Sequence, residues 1–342
     1  VSGICLTAEE TRILGAVAPA AVVLFARNVE SATQLTELID SIRQASDPAP
    51  VLMIDEEGGR VDRLRQLVPG IPAAQDVAAC DDPEIAREFG RVIGHLLAEL
   101  DIEVNLAPVV DLWRDGLSPS LVRRCFGSSP DAVASRAGAF IEGMEERGVL
   151  SCVKHFPGLG VAETDPHLAS SVVGLSMAEL ESADLRPYRL LGAKAPAVMV
   201  THAVYPAIDD SGLPGTLSRE ISTVLLRERL GYEGLAMTDD MEMHAVSDVA
   251  SAPEIAERSL LAGNDLILFC SRIEEAKSIA SRVGRLAESD EGGARAAEAR
   301  ERVDVFVRQC GAWAGRRRSA RAGIDAVRLA VSSLRDSLGL TV

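Results

Sequence analysis

Eight short, almost unbroken apolar runs recur along this chain, each followed by a stretch with helical patterning. That alternation constrains the fold more than any other feature. The runs are Gly3–Leu6, Ala21–Phe25, Val51–Asp55, Val104–Val110, Ser151–His155, Ala197–His202, Gly234–Asp239 and Asp265–Phe269. Runs that do not alternate with polar residues suit parallel strands covered on both faces. Helix starts punctuate the gaps: Thr7-x-x-Glu10, Ser31-x-x-Gln34, Ser176-x-x-Glu179 and Ser251-x-x-Glu254 read as capping boxes, and Asp82-Pro83-Glu84 as a cap before a first-turn proline. Eight such units in series predict an α/β fold, a TIM-type (β/α)8 barrel rather than an open doubly wound sheet. The 342 residues suit one domain, with the barrel over about residues 1–290 and a helical tail over about 291–342.

Composition excludes several classes. Hydrophobic residues make up 47% of the chain, which rules out disorder throughout, and the net charge of −16 opposes binding to nucleic acid. A few local Arg and Lys could still reverse the field inside a pocket. No apolar run reaches the ~18 residues of a membrane span, and no signal peptide is visible, so a cytoplasmic protein is expected. The six cysteines form no CxxC and read as free, mostly buried thiols. Gly158-Leu159-Gly160 lacks the third glycine and helix context of a nucleotide fingerprint. Arg316-Arg317-Arg318 with Arg321 reads as a solvated helix face.

In a barrel of this kind, chemistry sits at the C-terminal strand ends. Five runs here end in polar groups: Asp55; Asp111; Lys154 with His155; His202; and Asp239 with Asp240. Of the five histidines, His95 and His244 fall on helices and read as structural. His167 follows Asp165 by two residues in a loop whose Gly158 and Gly160 suit a lid. An Asp beside an imidazole can fix its tautomer and stabilise its protonated form. Two chemistries fit this rim. One is metal-assisted hydrolysis with His155, His202 and Asp239 as ligands, although HxH and HExxH spacings are missing. The other is glycosyl transfer, with Asp239 as carboxylate nucleophile and His167 as acid/base.

The motifs Ile54-Asp55-Glu56-Glu57-Gly58-Gly59-Arg60-Val61 with Arg63, Asn105-Leu106-Ala107-Pro108-Val109-Val110-Asp111, Lys154-His155-Phe156-Pro157-Gly158, Asp165-x-His167, His202 with Tyr205, and Thr238-Asp239-Asp240 stand in one order across about residues 1–270. As a set they resemble glycoside hydrolase family 3, in particular its bacterial β-N-acetylhexosaminidases of peptidoglycan recycling. The resemblance implies a TIM-type barrel with no metal and no organic cofactor. It makes Asp239 the nucleophile, His167 the acid/base and Asp165 its dyad partner. Asp55, Arg63, Arg124, Lys154 and His155 match residues that hold the N-acetylglucosamine unit. Leu159 and Pro166 depart from the commoner histidine and Ser or Thr, and Arg123 adjoins Arg124.

The implied reaction is retaining removal of a terminal β-linked N-acetylglucosamine through a covalent sugar on Asp239. A histidine acid/base needs little tuning, since its reference pKa of ~6.5 lies near neutrality. Aromatics are only 4% of the chain, with Trp113, Phe126, Phe156 and Tyr205 near the rim, so a short pocket for one terminal sugar is expected. The partner expected is thus a small carbohydrate. A β-glucosidase or a β-N-acetylglucosaminide phosphorylase of the same family, and a non-catalytic sugar-binding barrel, remain as alternatives.

Overall fold

The computed structural model describes residues 1–114, 118–160, 171–290 and 292–340. In chain order the strands are β1 (Ala21–Leu24), β2 (Val51–Ile54), β3 (Glu56–Gly58), β4 (Val61–Asp62), β5 (Val104–Asn105), β6 (Leu150–Phe156), β7 (Ala197–Val200), β8 (Leu235–Asp240) and β9 (Leu266–Leu268). Seven of them form one curled sheet in the order β1-β2-β5-β6-β7-β8-β9, and every pairing is parallel. This is the curled sheet of a (β/α)8-type barrel, with helices completing the C-terminal end. The pair β3–β4 is a separate antiparallel hairpin.

The first expected run is the exception. Gly3–Leu6 forms no ladder, and Ile4 is 40% exposed. Side-chain amides hold it instead: Asn28 Nδ2 donates to the carbonyls of Gly3 (2.8 Å) and Val1 (3.2 Å), and Gln34 Nε2 to that of Ile4 (2.6 Å). A run that leaves its Ile and Cys in solvent lacks the two-sided burial that makes a parallel strand stable.

Along the other strands, alternate residues serve two cores. Val51, Met53, Val104, Leu150, Cys152 and Met237 share one apolar cluster inside the curl, while Leu52, Ile54, Val153 and Val198 join the layer under the helices. The tail helix Gly293–Ala312 adds Phe306 and Cys310 to the inner cluster. Thr7 and Ser176 form complete capping boxes and Asp82 caps its helix. Ser31 accepts from Gln34 N, but the Gln34 side chain turns to Glu30, and Ser251 makes no side-chain cap.

The basic cluster of the tail is a solvated face at Arg316 and Arg318 but not at Arg317. Arg317 is 3% exposed, donates to the carbonyls of Gly148 (3.1 Å) and Cys310 (3.0 Å), and lies by Asp101 and Glu103. Arg321 pairs with Asp101 and donates to Ala98 O. These two arginines fasten the tail to the base of the barrel. All six cysteines are free, and Cys125, Cys152 and Cys310 are buried. Among the described residues, no helix is long and apolar enough to cross a membrane.

Candidate active site

Three ladder irregularities lie where the sequence placed its chemistry. Between β6 and β7, Lys154 pairs with Met199 and Phe156 with Val200, so His155 is an extra residue. Between β8 and β9, Met237 pairs with Leu266 and Asp240 with Leu268, which puts Thr238 and Asp239 opposite Ile267 alone. Thr238 Oγ1 fills the gap by accepting from Leu268 N at 3.0 Å. The third irregularity is in the β3–β4 hairpin. Such bulges re-aim side chains where regular alternation would keep them in the core.

A charged cluster links β2, its hairpin and β6. Lys154 Nζ is buried between Asp55 Oδ1 (2.6 Å) and Glu57 Oε1 (2.7 Å). Arg124 grips the same Glu57 carboxylate with both fork nitrogens, Nε to Oε2 at 2.7 Å and Nη2 to Oε1 at 2.8 Å, and its Nη1 donates to Ser120 O. Arg63 Nη2 stands 4.0 Å from Asp55 Oδ2. Burial opposes ionisation of Glu57, but Arg124 and then Lys154 outweigh it and hold the carboxyl far below the ordinary range. Burial likewise disfavours the Lys154 ammonium, and Asp55 and Glu57 reverse that and raise its pKa. Bidentate, charge-assisted contacts of this kind fix geometry as well as charge.

His155 is held from the third strand end. Its Nδ1–H donates to Asp111 Oδ2 at 2.7 Å, which sets the tautomer. Asp111 also accepts from Leu159 N (2.6 Å) and His155 N (3.2 Å). Tyr205 hydroxyl donates to Gly158 O at 2.8 Å, and a Cβ on Gly158 would meet Asp184 Cβ at 2.6 Å. The turn after β6 is therefore packed too closely for any residue but glycine. His202 is fully buried: its Nε2–H donates to Asp240 O (2.9 Å), and its Nδ1 meets Thr216 Oγ1 (2.8 Å).

Asp239 is half-buried at the end of β8, and its Oδ1 accepts from Asp240 N at 2.8 Å. Burial would raise its pKa. The neighbouring His202 and His155, the Asp240 amide and Lys154 together hold it below the ordinary carboxylate value. Asp240, by contrast, is pushed up to about 6 by burial, with the Glu242 and Asp239 charges adding to the rise. Of the two adjacent carboxyls, Asp239 is the one held more firmly in its ionised form.

The structure thus brings together Asp55, Arg63, Arg124, Lys154, His155 and Asp239. Asp165 and His167 lie outside the described residues. Arg123 pairs with Asp76 at the surface, so Arg124 is the arginine directed at the cluster. Both ring nitrogens of His202 and the Nδ1 of His155 are engaged, which disfavours the His155–His202–Asp239 metal triad. Among the described residues no group of three His, Cys, Asp or Glu is placed to hold a metal. Of the four aromatic residues expected near the rim, Phe126, Phe156 and Tyr205 are fully buried and Trp113 is 44% exposed. Glu57 and Asp111 organise the site, although the resemblance gave neither a role and only Asp111 stood among the polar strand ends. Their signal was position: Glu57 sits in the motif after β2, and Asp111 ends an apolar run.

Comparison with known proteins bears on the family and the fold. Residues 5–304 match the family model "Glycosyl hydrolase family 3 N terminal domain". A "Beta-hexosaminidase" of Alkalilimnicola ehrlichii is 36% identical over 286 residues, covering 82% of this chain and 81% of that protein. The structure of a family 3 β-N-acetylglucosaminidase from Paenibacillus sp. superposes with a TM-score of 0.88 at 28% identity, over 98% of this chain and 66% of that one. NagZ from Neisseria gonorrhoeae, solved with N-trifluoroacetyl-D-glucosamine, gives 0.76 at 30% identity over 92% and 96%. With its strand-end cluster and a family match over most of its length, the chain belongs to glycoside hydrolase family 3, alongside the bacterial β-hexosaminidases.

Proposed function

We propose that this enzyme removes terminal β-linked N-acetylglucosamine from peptidoglycan fragments in the cytoplasm, with retention of configuration. The observation that carries the reading is the place of Asp239: a carboxyl at the C-terminal end of β8, accepting from Asp240 N and close enough to His202, His155 and Lys154 for their charges to favour its ionised form. Asp239 attacks the anomeric carbon while the glycosidic C–O bond breaks. The leaving oxygen takes a proton from His167, which Asp165 orients and helps to keep charged. The neutral His167 then removes a proton from water, and the water oxygen displaces Asp239 from the sugar. Asp55 accepts from the sugar hydroxyls, Arg63, Lys154 and His155 line the pocket, and Arg124 steadies the cluster through Glu57. Of the four aromatics expected at the rim, Trp113 alone is exposed, which supports a short exo-acting pocket over a long polysaccharide cleft.

The test compares a chromogenic β-N-acetylglucosaminide with the β-glucoside, with and without phosphate. Hydrolysis of the former without phosphate is the expected result. Preference for the glucoside, or turnover that requires phosphate, would replace the reading with β-glucosidase or phosphorylase activity. Asp239→Asn should abolish turnover with the fold intact, and a 2-fluoro sugar should label Asp239 in the wild type. A label on Asp240 or Glu57 would overturn the assignment.

A further inference from the structure

Directly beside the charged cluster lies a pair of carboxyls for which the mechanism has no use. Glu56 and Asp62 stand opposite each other across the β3–β4 hairpin. Glu56 is 0% exposed and Asp62 7%. Glu56 Oε2 accepts from Arg63 N (2.9 Å) and Leu64 N (3.1 Å), while its Oε1 and Asp62 Oδ1 are buried with no hydrogen-bond partner. The Glu56 backbone is fixed at both ends by Asn105, whose Oδ1 accepts from Glu56 N (3.0 Å) and whose Nδ2 donates to Glu56 O (2.8 Å).

The surroundings leave the pair short of positive charge. Arg65 and Arg63, both on the β4 side, act on Asp62. Arg63 turns its guanidinium toward Asp55 and the Phe25 ring. Around Gly58 the hairpin meets the apolar side chains of Ile71 and Phe89 and the backbone carbonyl of Pro72, none of them a cation. The flanking carboxylates Asp55 and Glu57 are both engaged by Lys154. Like charges directly opposed on a buried hairpin repel, and two carboxyls in one dry site cannot both ionise.

We propose that Glu56 is a positioning residue for the sugar pocket: one proton shared with Asp62 keeps β3 and β4 paired, and so holds Asp55, Glu57 and Arg63 in register. The proposal rests on the hydrolase reading for what the pocket binds. The electrostatics agree with the geometry. Burial and then the Asp62 charge push Glu56 well above the usual carboxylate range, and burial raises Asp62 to about 6. The proton stays on the pair at neutral pH and leaves as pH rises. The hairpin then carries two opposed charges, and Arg63 loses its station.

The experiment separates KM from kcat across pH for wild type, Glu56→Gln and Asp62→Asn. In wild type, KM for the chromogenic substrate should rise roughly tenfold on the alkaline side, the scale of one charge-assisted hydrogen bond lost, with no matching fall in kcat. Glu56→Gln keeps an acceptor for Arg63 N and Leu64 N and donates to Asp62 at every pH, so its KM should stay flat. A flat wild-type KM, or a Glu56→Gln KM that climbs in parallel with wild type, overturns the proposal. Infrared spectra of substrate-free protein give a second readout. Wild type should show a protonated-carboxyl band at neutral pH that is lost in Glu56→Gln, and its absence overturns the proposal whatever sugar the enzyme takes. If Glu56→Gln does not fold, Asp62→Asn carries the KM comparison. Failure of both to fold would make the pair a structural staple and refute a positioning role.

Discussion

Glu57→Gln probes the charged cluster most directly, because Glu57 joins Arg124 to Lys154. The wild-type carboxylate is 5% exposed and takes three contacts of 2.7 to 2.8 Å, two from Arg124 and one from Lys154. The amide keeps the shape but presents an N–H to a cation and cancels no charge. Removing one partner from a buried pair typically costs about 3–5 kcal/mol, and that loss of stability is expected near neutral pH. The pH dependence follows from the sign of the shift. Glu57 is depressed in the folded state, so its contribution is complete above the unfolded value of about 4.3 and is lost as pH falls toward the folded one. The stability gap between wild type and variant should hold from neutrality to about pH 5, then narrow by about 1.4 kcal/mol per pH unit. Urea unfolding followed by the fluorescence of Trp113 and Trp313 measures it. A gap under about 1 kcal/mol at neutral pH, the range of exposed ion pairs, would refute the reasoning, as would one that does not narrow in acid.

The remaining predictions concern the dyad, the metal alternative and the tail. His167→Ala should cost about 10²–10⁴-fold in kcat/KM on a natural disaccharide and much less on a nitrophenyl glycoside, whose leaving group needs little protonation. Asp165→Ala should be milder, and equal small losses on both substrates would show that His167 is not the acid/base. Activity should survive EDTA, because the rim histidines are engaged by protein partners; loss on chelation with recovery on zinc would revive the metal reading. Arg317→Met should destabilise the protein by about 3–5 kcal/mol, since it strips a buried guanidinium from Gly148 O, Cys310 O and the Asp101–Glu103 pair. An unchanged urea midpoint would return Arg317 to the surface role its sequence neighbours suggest.

What was legible in the sequence follows from which features are local. A parallel strand buried on both faces must be apolar along its length, so a polar residue at the end of such a run is conspicuous, and Asp55, Asp111, Lys154, His155 and Asp239 stand out on that ground alone. The Gly3–Leu6 run met the same apolar criterion but is not buried, because burial depends on what the rest of the chain covers. Arg317 failed in the opposite direction. Within Arg316-Arg317-Arg318, identical side chains have different environments, and only the approach of Gly148 and Cys310 makes the middle one internal. Glu57 is the most instructive case. One carboxyl among three in Asp55-Glu56-Glu57 was assigned to the sugar, yet all three have distinct stations: Asp55 at Lys154 and Arg63, Glu56 facing Asp62, Glu57 under Arg124 and Lys154. Strand alternation alone would send Asp55 and Glu57 to one side and Glu56 to the other. The hairpin turns that alternation into a division of labour, with charges paired toward the pocket and a carboxyl pair sealed behind it.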